Sequence, residues 1–285
     1  MTVAMSVHNG ASTLKLAIHS LLWQTFSDWE LLIVNDASTD ASSQICHQFH
    51  DSRIRVIDEH QQRGLAVRLN QCVERARGKY VARMDADDIA YPERFERQVR
   101  YLESHPDIDL LGHGAVLFKG EGEIIGLHPV AQRHEDICRR PWWGFPLAHP
   151  TWMGKRLWFA QHRYHQHVRK GQDQELLLRA WQTSRFATLS DCLLGYRVDK
   201  VSCAKSAVGR AHYCRTLFSQ AHDMQSAELL IRGIFVHGLG LMRDIALELM
   251  PISGKKIRQS LGSANPPVVE EWNKVWGRLQ ETSIP

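Results

Sequence analysis

The alternation of apolar runs with helix-period patterns between Thr2 and Met84 constrains the fold more than any other feature of this sequence. Thr2–Val7 reads as a strand, and Leu14, Ile18, Leu21 and Leu22 recur at helical spacing behind the potential caps Ser12 and Thr13. Glu30–Asn35 reads as a second strand, followed by a helix carrying Ile45 and Phe49. Arg53–Ile57 is a third strand, Leu65, Leu69, Cys72, Val73 and Ala76 mark a third helix, and Tyr80–Met84 is a fourth strand. This βαβαβαβ order predicts an α/β fold with a mostly parallel sheet and helices on both faces.

Beyond Pro92 a helix with Phe95, Val99 and Leu102 leads to the apolar stretch Asp109–Phe118, and Gly120–Gly126 reads as a hairpin or loop. The rhythm then breaks. Residues 138–160 are crowded with proline and aromatic residues, a helical stretch begins near Gln172, and the pattern past Lys205 is mostly helical, ending in a polar last segment after Pro251.

Of the 285 residues 44% are hydrophobic and 23% charged, which excludes disordered and low-complexity classes. Thirty-five Lys and Arg against 31 Asp and Glu leave a formal charge of +4, too small an excess to point to a nucleic-acid partner. The six cysteines include no C-x-x-C pair and the sixteen histidines no H-E-x-x-H, so neither a zinc site nor a disulfide framework is expected. Free thiols and the lack of a secretory signal pattern at the N-terminus lead to the expectation of a cytoplasmic protein. The uncharged run Gly233–Met242 is far shorter than the roughly 20 residues a spanning helix needs. Leu229, Leu230, Ile234, Phe235, Leu239 and Leu241, with Lys255, Lys256 and Arg258 nearby, form an apolar stripe that either packs on the rest of the chain or rests on the inner face of the cytoplasmic membrane.

In an open parallel sheet ligands sit outside the carboxyl ends of the strands. Here those ends read Ser6-Val7-His8-Asn9, Asn35-Asp36-Ala37-Ser38-Thr39-Asp40 and Asp85-Ala86-Asp87-Asp88. No G-x-G-x-x-G or G-x-x-x-x-G-K-[ST] follows the first strand, so a phosphate ligand needs another partner than a glycine-rich loop. The acidic cluster at the fourth strand end offers hard oxygen ligands suited to Mg²⁺ or Mn²⁺, which bridge to phosphate oxygens.

Four ordered motifs then carry a resemblance: Ser6-Val7-His8-Asn9-Gly10, Ser20-Leu21-Leu22-Trp23-Gln24-Thr25-Phe26, Glu30 to Asp40, and Ala76 to Asp88. With them the chain resembles family 2 glycosyltransferases of the GT-A fold, inverting enzymes that use nucleotide sugars, and within them bacterial enzymes of lipopolysaccharide, capsule or exopolysaccharide synthesis. The match is dense over residues 2–104 and thinner to about 206, which implies a catalytic domain over 1–204 (a nucleotide-sugar half, 1–108, and an acceptor half, 109–204) and a helical extension over 205–285.

What the resemblance implies can be placed by residue. Asp36 would accept a hydrogen bond from uracil, with Ser6 and His8 near the base; Asn9, Arg68, Asp85 and Ala86 would complete the nucleotide-sugar site. Helix capping is the competing role for Asp36 and Asp40. Asp87, with Asp85, would hold the Mn²⁺ or Mg²⁺, and Asp88 is a reserve ligand. Gly171 to Arg179 resembles the start of the acceptor-side helix, which makes Asp173 the general base. Two positions depart from the family: Gln172 replaces the glutamate before the base, and Asp199 stands where relatives often carry a histidine, either as a metal ligand or idle. His149, Trp142 and Trp143 fall on the acceptor side, where the tryptophans either stack on sugar rings or pack the core. The expected activity is transfer from a UDP-sugar to a hydroxyl of a lipid-linked or oligosaccharide acceptor. The alternatives are a sugar nucleotidyltransferase, for which Val7–Leu14 lacks the glycine-rich basic loop, and a glycan-binding scaffold without catalysis.

Overall fold

The computed structural model of the chain describes residues 1–198, 203–223, 226–249 and 265–282. Strand β1 (Thr2–Val7) is paired in parallel with β2 (Glu30–Asp36) on one side and β4 (Tyr80–Asp85) on the other, and β3 (Ile54–Glu59) extends the sheet beyond β2. The crossovers are α1 (Leu14–Leu22), α2 (Ser42–His47) and α3 (Leu65–Arg75). Side chains alternate across a strand. Val3, Met5, Leu31 and Ile33 therefore join Leu14, Ala17, Ile18 and Leu21 of α1 in one core, while Ala4, Leu32 and Val34 join Leu69, Cys72 and Val73 of α3 in the other. A slip of one residue would exchange the two sets of side chains between faces, which fixes the register. That register sets Ser6 beside both Val34 and Asp85, so the strand ends read from the sequence share one rim.

The second half adds β5 (Ile89–Ala90), α4 (Arg94–Ser104), β6 (Leu110–Lys119), β7 (Glu123–Leu127), α5 (His134–Ile137), β8 (Met153–Lys155), α6 (Arg156–Gln161), α7 (Gln172–Ala180) and β9 (Phe186–Arg197). The sheet order is β3-β2-β1-β4-β8-β6-β9-β5, with β7 paired to β6 across the Gly120–Gly122 turn. Strand β8 joins the halves antiparallel to β4 and β6, and β6 and β9 run parallel. The helix expected to carry Phe49 ends at His47; Asp51 accepts from both the backbone and the guanidinium of Arg53, which turns the chain into β3.

Helices α8 (Cys203–Asp223) and α9 (Ala227–Leu249) lie antiparallel, with Gly233 against Leu217 and Gly240 against Arg210. Tyr213, Leu217, Ala221 and Leu229 are buried in the core shared with α3 and α7. Among the described residues no helix is long and apolar enough to cross a membrane. Asp199 and the basic group Lys255, Lys256 and Arg258 lie outside the described residues.

The last segment is not polar throughout. Helix α10 (Pro266–Thr282) buries Trp272, Val275, Trp276 and Leu279, spaced for one helical face, against Ile89, Tyr91, Val116 and Phe118 of the outer sheet. Trp272 is fully buried 4.7 Å from the Phe118 ring and donates Nε1–H to the Gly122 carbonyl at 2.8 Å. Gly195 of β9 makes room for it, because a Cβ there would stand 2.2 Å from the indole. Gly195→Ala is expected to force α10 outward at a cost of about 1–3 kcal/mol, read as a lowered Tm; an unchanged Tm would mean that the indole shifts without loss.

Candidate active site

The loops after β1 and β2 are latched together at the rim. Asn9 (φ 54°) and Ala37 (φ 55°) take left-handed conformations, which turn both loops sharply. The Asn9 backbone N–H donates to Ser38 Oγ, its Oδ1 accepts from Thr39 N–H at 2.8 Å, and Gly10 N–H donates to Ser42 Oγ at 2.9 Å. Asp40 accepts from Ala11 N–H and from both the amide and hydroxyl of Ser42, so its role is to set this corner and the start of α2. Thr13 Oγ1 donates to the Ala86 carbonyl at 3.1 Å, which ties the first loop to the acidic segment. His8 Nδ1–H donates to the Asp36 carbonyl at 2.8 Å, leaving Nε2 as an acceptor.

Asp36 and Arg68, both expected at the nucleotide site, meet each other and the entry to α3. The Asp36 carboxylate is 2% exposed and already accepts from Arg63 N–H, Gly64 N–H and Arg68 Nε, at 2.9, 2.7 and 2.6 Å. Burial raises its pKa, but these hydrogen bonds and the Arg68 charge outweigh that and hold it below the usual carboxylate range. The group anchors the entry to α3. Arg68 is equally enclosed: its remaining N–H groups reach Gln71, the Gln61 carbonyl and Glu59, so it is not available to a diphosphate.

The acidic segment keeps its expected place at the end of β4. Ligand oxygens of Asp85, Asp87 and Asp88 lie within 4.8 Å of one another. Burial first, and then Asp85, push Asp87 up to about 6; burial, Asp85 and Asp87 raise Asp88 well above the usual carboxylate range. Three carboxylates this close repel one another, and a divalent cation relieves that repulsion. Asp88 accepts Arg197 N–H through Oδ1 at 2.9 Å, while its buried Oδ2 has no hydrogen-bond partner among the described residues. A hard-oxygen trio with a spare buried oxygen fits Mg²⁺ or Mn²⁺. Arg197 closes the segment from β9 by donating to the carbonyls of Asp87 (3.1 Å) and Gly120 (2.8 Å) while stacking on Phe118.

Arg83, two residues before Asp85 and therefore on the same face of β4, pairs with the Asp85 carboxylate. Its charge also reaches Asp173, His149, Tyr164 and Tyr196, so these groups line one region. Asp173 stands in the first turn of α7, which Gly171 opens in a left-handed conformation (φ 72°). Desolvation raises its pKa despite the hydrogen bonds from Gln174, which makes it a stronger proton acceptor than a solvated aspartate. Gln174 also brackets Phe145, accepting its N–H at 2.8 Å and donating to its carbonyl at 3.1 Å. Gln172 donates to the Arg169 carbonyl and shapes the turn before the helix.

Of Trp142, Trp143 and His149, the three residues expected on the acceptor side, Trp143 is the open one. It is 64% exposed and lines a cleft of about 540 Å³ with Arg139, Arg140, Phe145 and Gln174. Trp142 packs into the core beneath the Arg232 guanidinium, 4.6 Å from its ring, and is no platform for a sugar. His149 is buried with Nε2 2.7 Å from Tyr164 Oη and edge-on to Trp152, so it supports the floor of the site and does not face an acceptor. Sequence reasoning did not single out Tyr164, Tyr196, Gln174 or Arg197; only Arg83 had a visible signal, its spacing from Asp85.

Residues 2–162 match the family described as glycosyl transferase family 2. A Bacillus subtilis protein named as the glycosyltransferase EpsE is 38% identical over 206 residues, covering 70% of this chain and 73% of its own. The O-antigen biosynthesis glycosyltransferase WbnJ of Escherichia coli is 31% identical over 214 residues, 73% of this chain and 83% of its own. The first 349 residues of Staphylococcus aureus TarS, solved in complex with UDP, superpose with a TM-score of 0.62 at 17% identity, covering 98% of this chain and 82% of that one. The mannosyltransferase PcManGT of Pyrobaculum calidifontis, solved with GDP-Man and Mn²⁺, superposes with a TM-score of 0.61 at 17% identity over 98% and 84%. With the acidic segment at the end of β4 and Asp173 at the start of α7 both within reach of the Arg83 charge, the chain belongs to family 2 of the glycosyltransferases and has the GT-A fold.

Proposed function

We propose that the chain is an inverting, metal-dependent transferase that moves a hexose or N-acetylhexosamine from a UDP-sugar to a hydroxyl of a lipid-linked or oligosaccharide acceptor in bacterial surface polysaccharide synthesis. The observation that carries the reading is the meeting of the Asp85–Asp87–Asp88 cluster with a lone, desolvated Asp173 around Arg83. Asp85 and Asp87, with Asp88 behind them, would hold the metal. When bound, Mn²⁺ or Mg²⁺ supplies positive charge to the departing nucleoside diphosphate. Asp173 accepts the proton of the acceptor hydroxyl while its oxygen bonds to the anomeric carbon and the bond from that carbon to the diphosphate breaks. One carboxylate suffices for this, because the leaving group needs no proton, whereas a glycosidase needs two. Ser6, His8, Asn9 and Ala86 line the donor side of the rim, and Trp143 flanks the acceptor cleft.

The relatives support the donor and the setting: TarS binds UDP and UDP-GlcNAc in its crystal structures, and WbnJ is named for O-antigen biosynthesis. Calorimetry checks the donor site. UDP is expected to bind only with Mn²⁺ or Mg²⁺ present, and Asp87→Ala is expected to abolish that binding while the protein stays folded. Binding of GDP but not UDP would replace the donor, and binding of neither by a folded sample would sink the nucleotide-sugar reading.

A further inference from the structure

The α8–α9 pair buries one side and leaves the other bare. Along α9, Ile231, Ile234, Phe235, Leu239, Leu241 and Met242 are 39–67% exposed, and Phe218 of α8 is 63% exposed. On α9, positions 231, 234, 235, 238, 241 and 242 repeat at helical spacing, so the bare residues form one stripe, not scattered points. A stripe of this extent on a water-facing helix marks a docking surface. Its only exposed charges in the described part of α9 up to Met242 are Glu228 and Arg232, which pair with each other at 2.8 Å at its edge.

The charge around the stripe identifies what covers it. Arg139, Arg140, Arg169, Lys170 and Arg215 are exposed, and none forms an ion pair among the described residues. Four of them belong to segments that touch the helix pair, and Arg169 precedes Lys170 in the chain. The 139–143 segment rests on it through the Tyr213 hydroxyl, which donates to the Pro141 carbonyl, and through Arg232 on Trp142. Lys170 lies against Gly209, and Arg215 is on α8 itself. Exposed Trp143 completes this collar. An apolar stripe bordered by uncompensated cations and a tryptophan matches an anionic bilayer surface, where apolar side chains enter the headgroup boundary and basic ones meet lipid phosphates. A two-fold contact between copies of the chain would set the same collar against itself, which like charges oppose.

We infer that the α8–α9 face seats the protein on an anionic membrane surface. The collar's Arg139, Arg140 and Trp143 also line the cleft that Gln174 closes beside Asp173, so seating turns the acceptor cleft toward the lipid; this last consequence rests on Asp173 being the base.

Flotation of the full chain with vesicles tests the seating without any donor or turnover, so its failure leaves the transferase reading untouched. The chain is expected to float with phosphatidylcholine vesicles containing phosphatidylglycerol and not with phosphatidylcholine alone. Ile234→Asp/Phe235→Asp, whose side chains point to solvent, is expected to weaken binding at least about tenfold with an unchanged Tm. Arg139→Glu/Arg140→Glu is expected to weaken it by about the same factor and to remove the dependence on anionic lipid. Absence of wild-type flotation, or flotation that the Asp pair retains, would overturn the inference. So would a concentration-dependent dimer that the Asp pair dissolves in a chain that does not bind vesicles.

Discussion

Asp173→Asn is expected to lower kcat by about 10²–10⁴-fold while leaving Mn²⁺–UDP binding intact, the loss typical of removing a general base. Asparagine keeps the shape of the side chain and the hydrogen bond to Gln174 but has no basic oxygen for the acceptor proton. The pH dependence gives an independent check with a definite sign. Only the ionised carboxylate accepts a proton, and desolvation raises the Asp173 pKa in the folded protein. With Mn²⁺ saturating, so that Asp85 and Asp87 stay ionised, turnover should therefore fall as pH drops through a midpoint above the ordinary aspartate value of about 3.9, and this acid limb should vanish in the variant. Steady-state kinetics of a variant that keeps wild-type kcat would remove Asp173 from the mechanism.

Arg68→Ala carries the largest expected effect on stability. The Arg68–Asp36 pair has side chains 2% and 3% exposed, and Arg68 also reaches Glu59, Gln71 and the Gln61 carbonyl. Removing the guanidinium strands the Asp36 charge in the interior, where a buried pair broken on one side costs about 3–5 kcal/mol. Two backbone N–H groups, from Arg63 and Gly64, still hold Asp36 and keep the loss from exceeding that range. The signature distinguishes an anchor from a ligand-binding residue: denaturant midpoints should fall while the affinity of the folded fraction for nucleotide stays within about twofold. A variant of native stability that binds nucleotide far more weakly would return Arg68 to the diphosphate.

The sequence disclosed the parallel half of the sheet because β1, β2 and β4 are largely apolar runs buried on both faces, and because the acidic segment falls where such a strand ends. The roles of individual polar residues were less legible, for a physical reason. Asp36 and Arg68 stand 32 positions apart, and nothing in either neighbourhood shows that they meet and saturate one another. Trp142 is covered by an arginine 90 residues later in the chain, and His149 is enclosed by Tyr164 and Trp152. An aromatic residue bound for a sugar and one bound for the core have the same local signature, so only long-range packing separates Trp143 from Trp142. The α10 stripe was readable from its spacing, since Trp272, Val275, Trp276 and Leu279 recur on one face among polar residues that mask it in an average.

The position of α10 in the chain imposes an order of events during synthesis. Tyr91, Val116 and Phe118 belong to strands and loops that emerge early, yet the indoles that cover them are translated after everything they touch. At about 5–20 residues per second, the outer sheet waits seconds with an apolar face open to solvent. Arg197, which clasps the acidic segment, also stacks on Phe118, one of the rings awaiting that cover. The nascent chain therefore completes the packing behind the acidic segment last, and a ribosome stalled before Trp272 carries a chain with Asp85, Asp87 and Asp88 already made and the ring that supports Arg197 still uncovered.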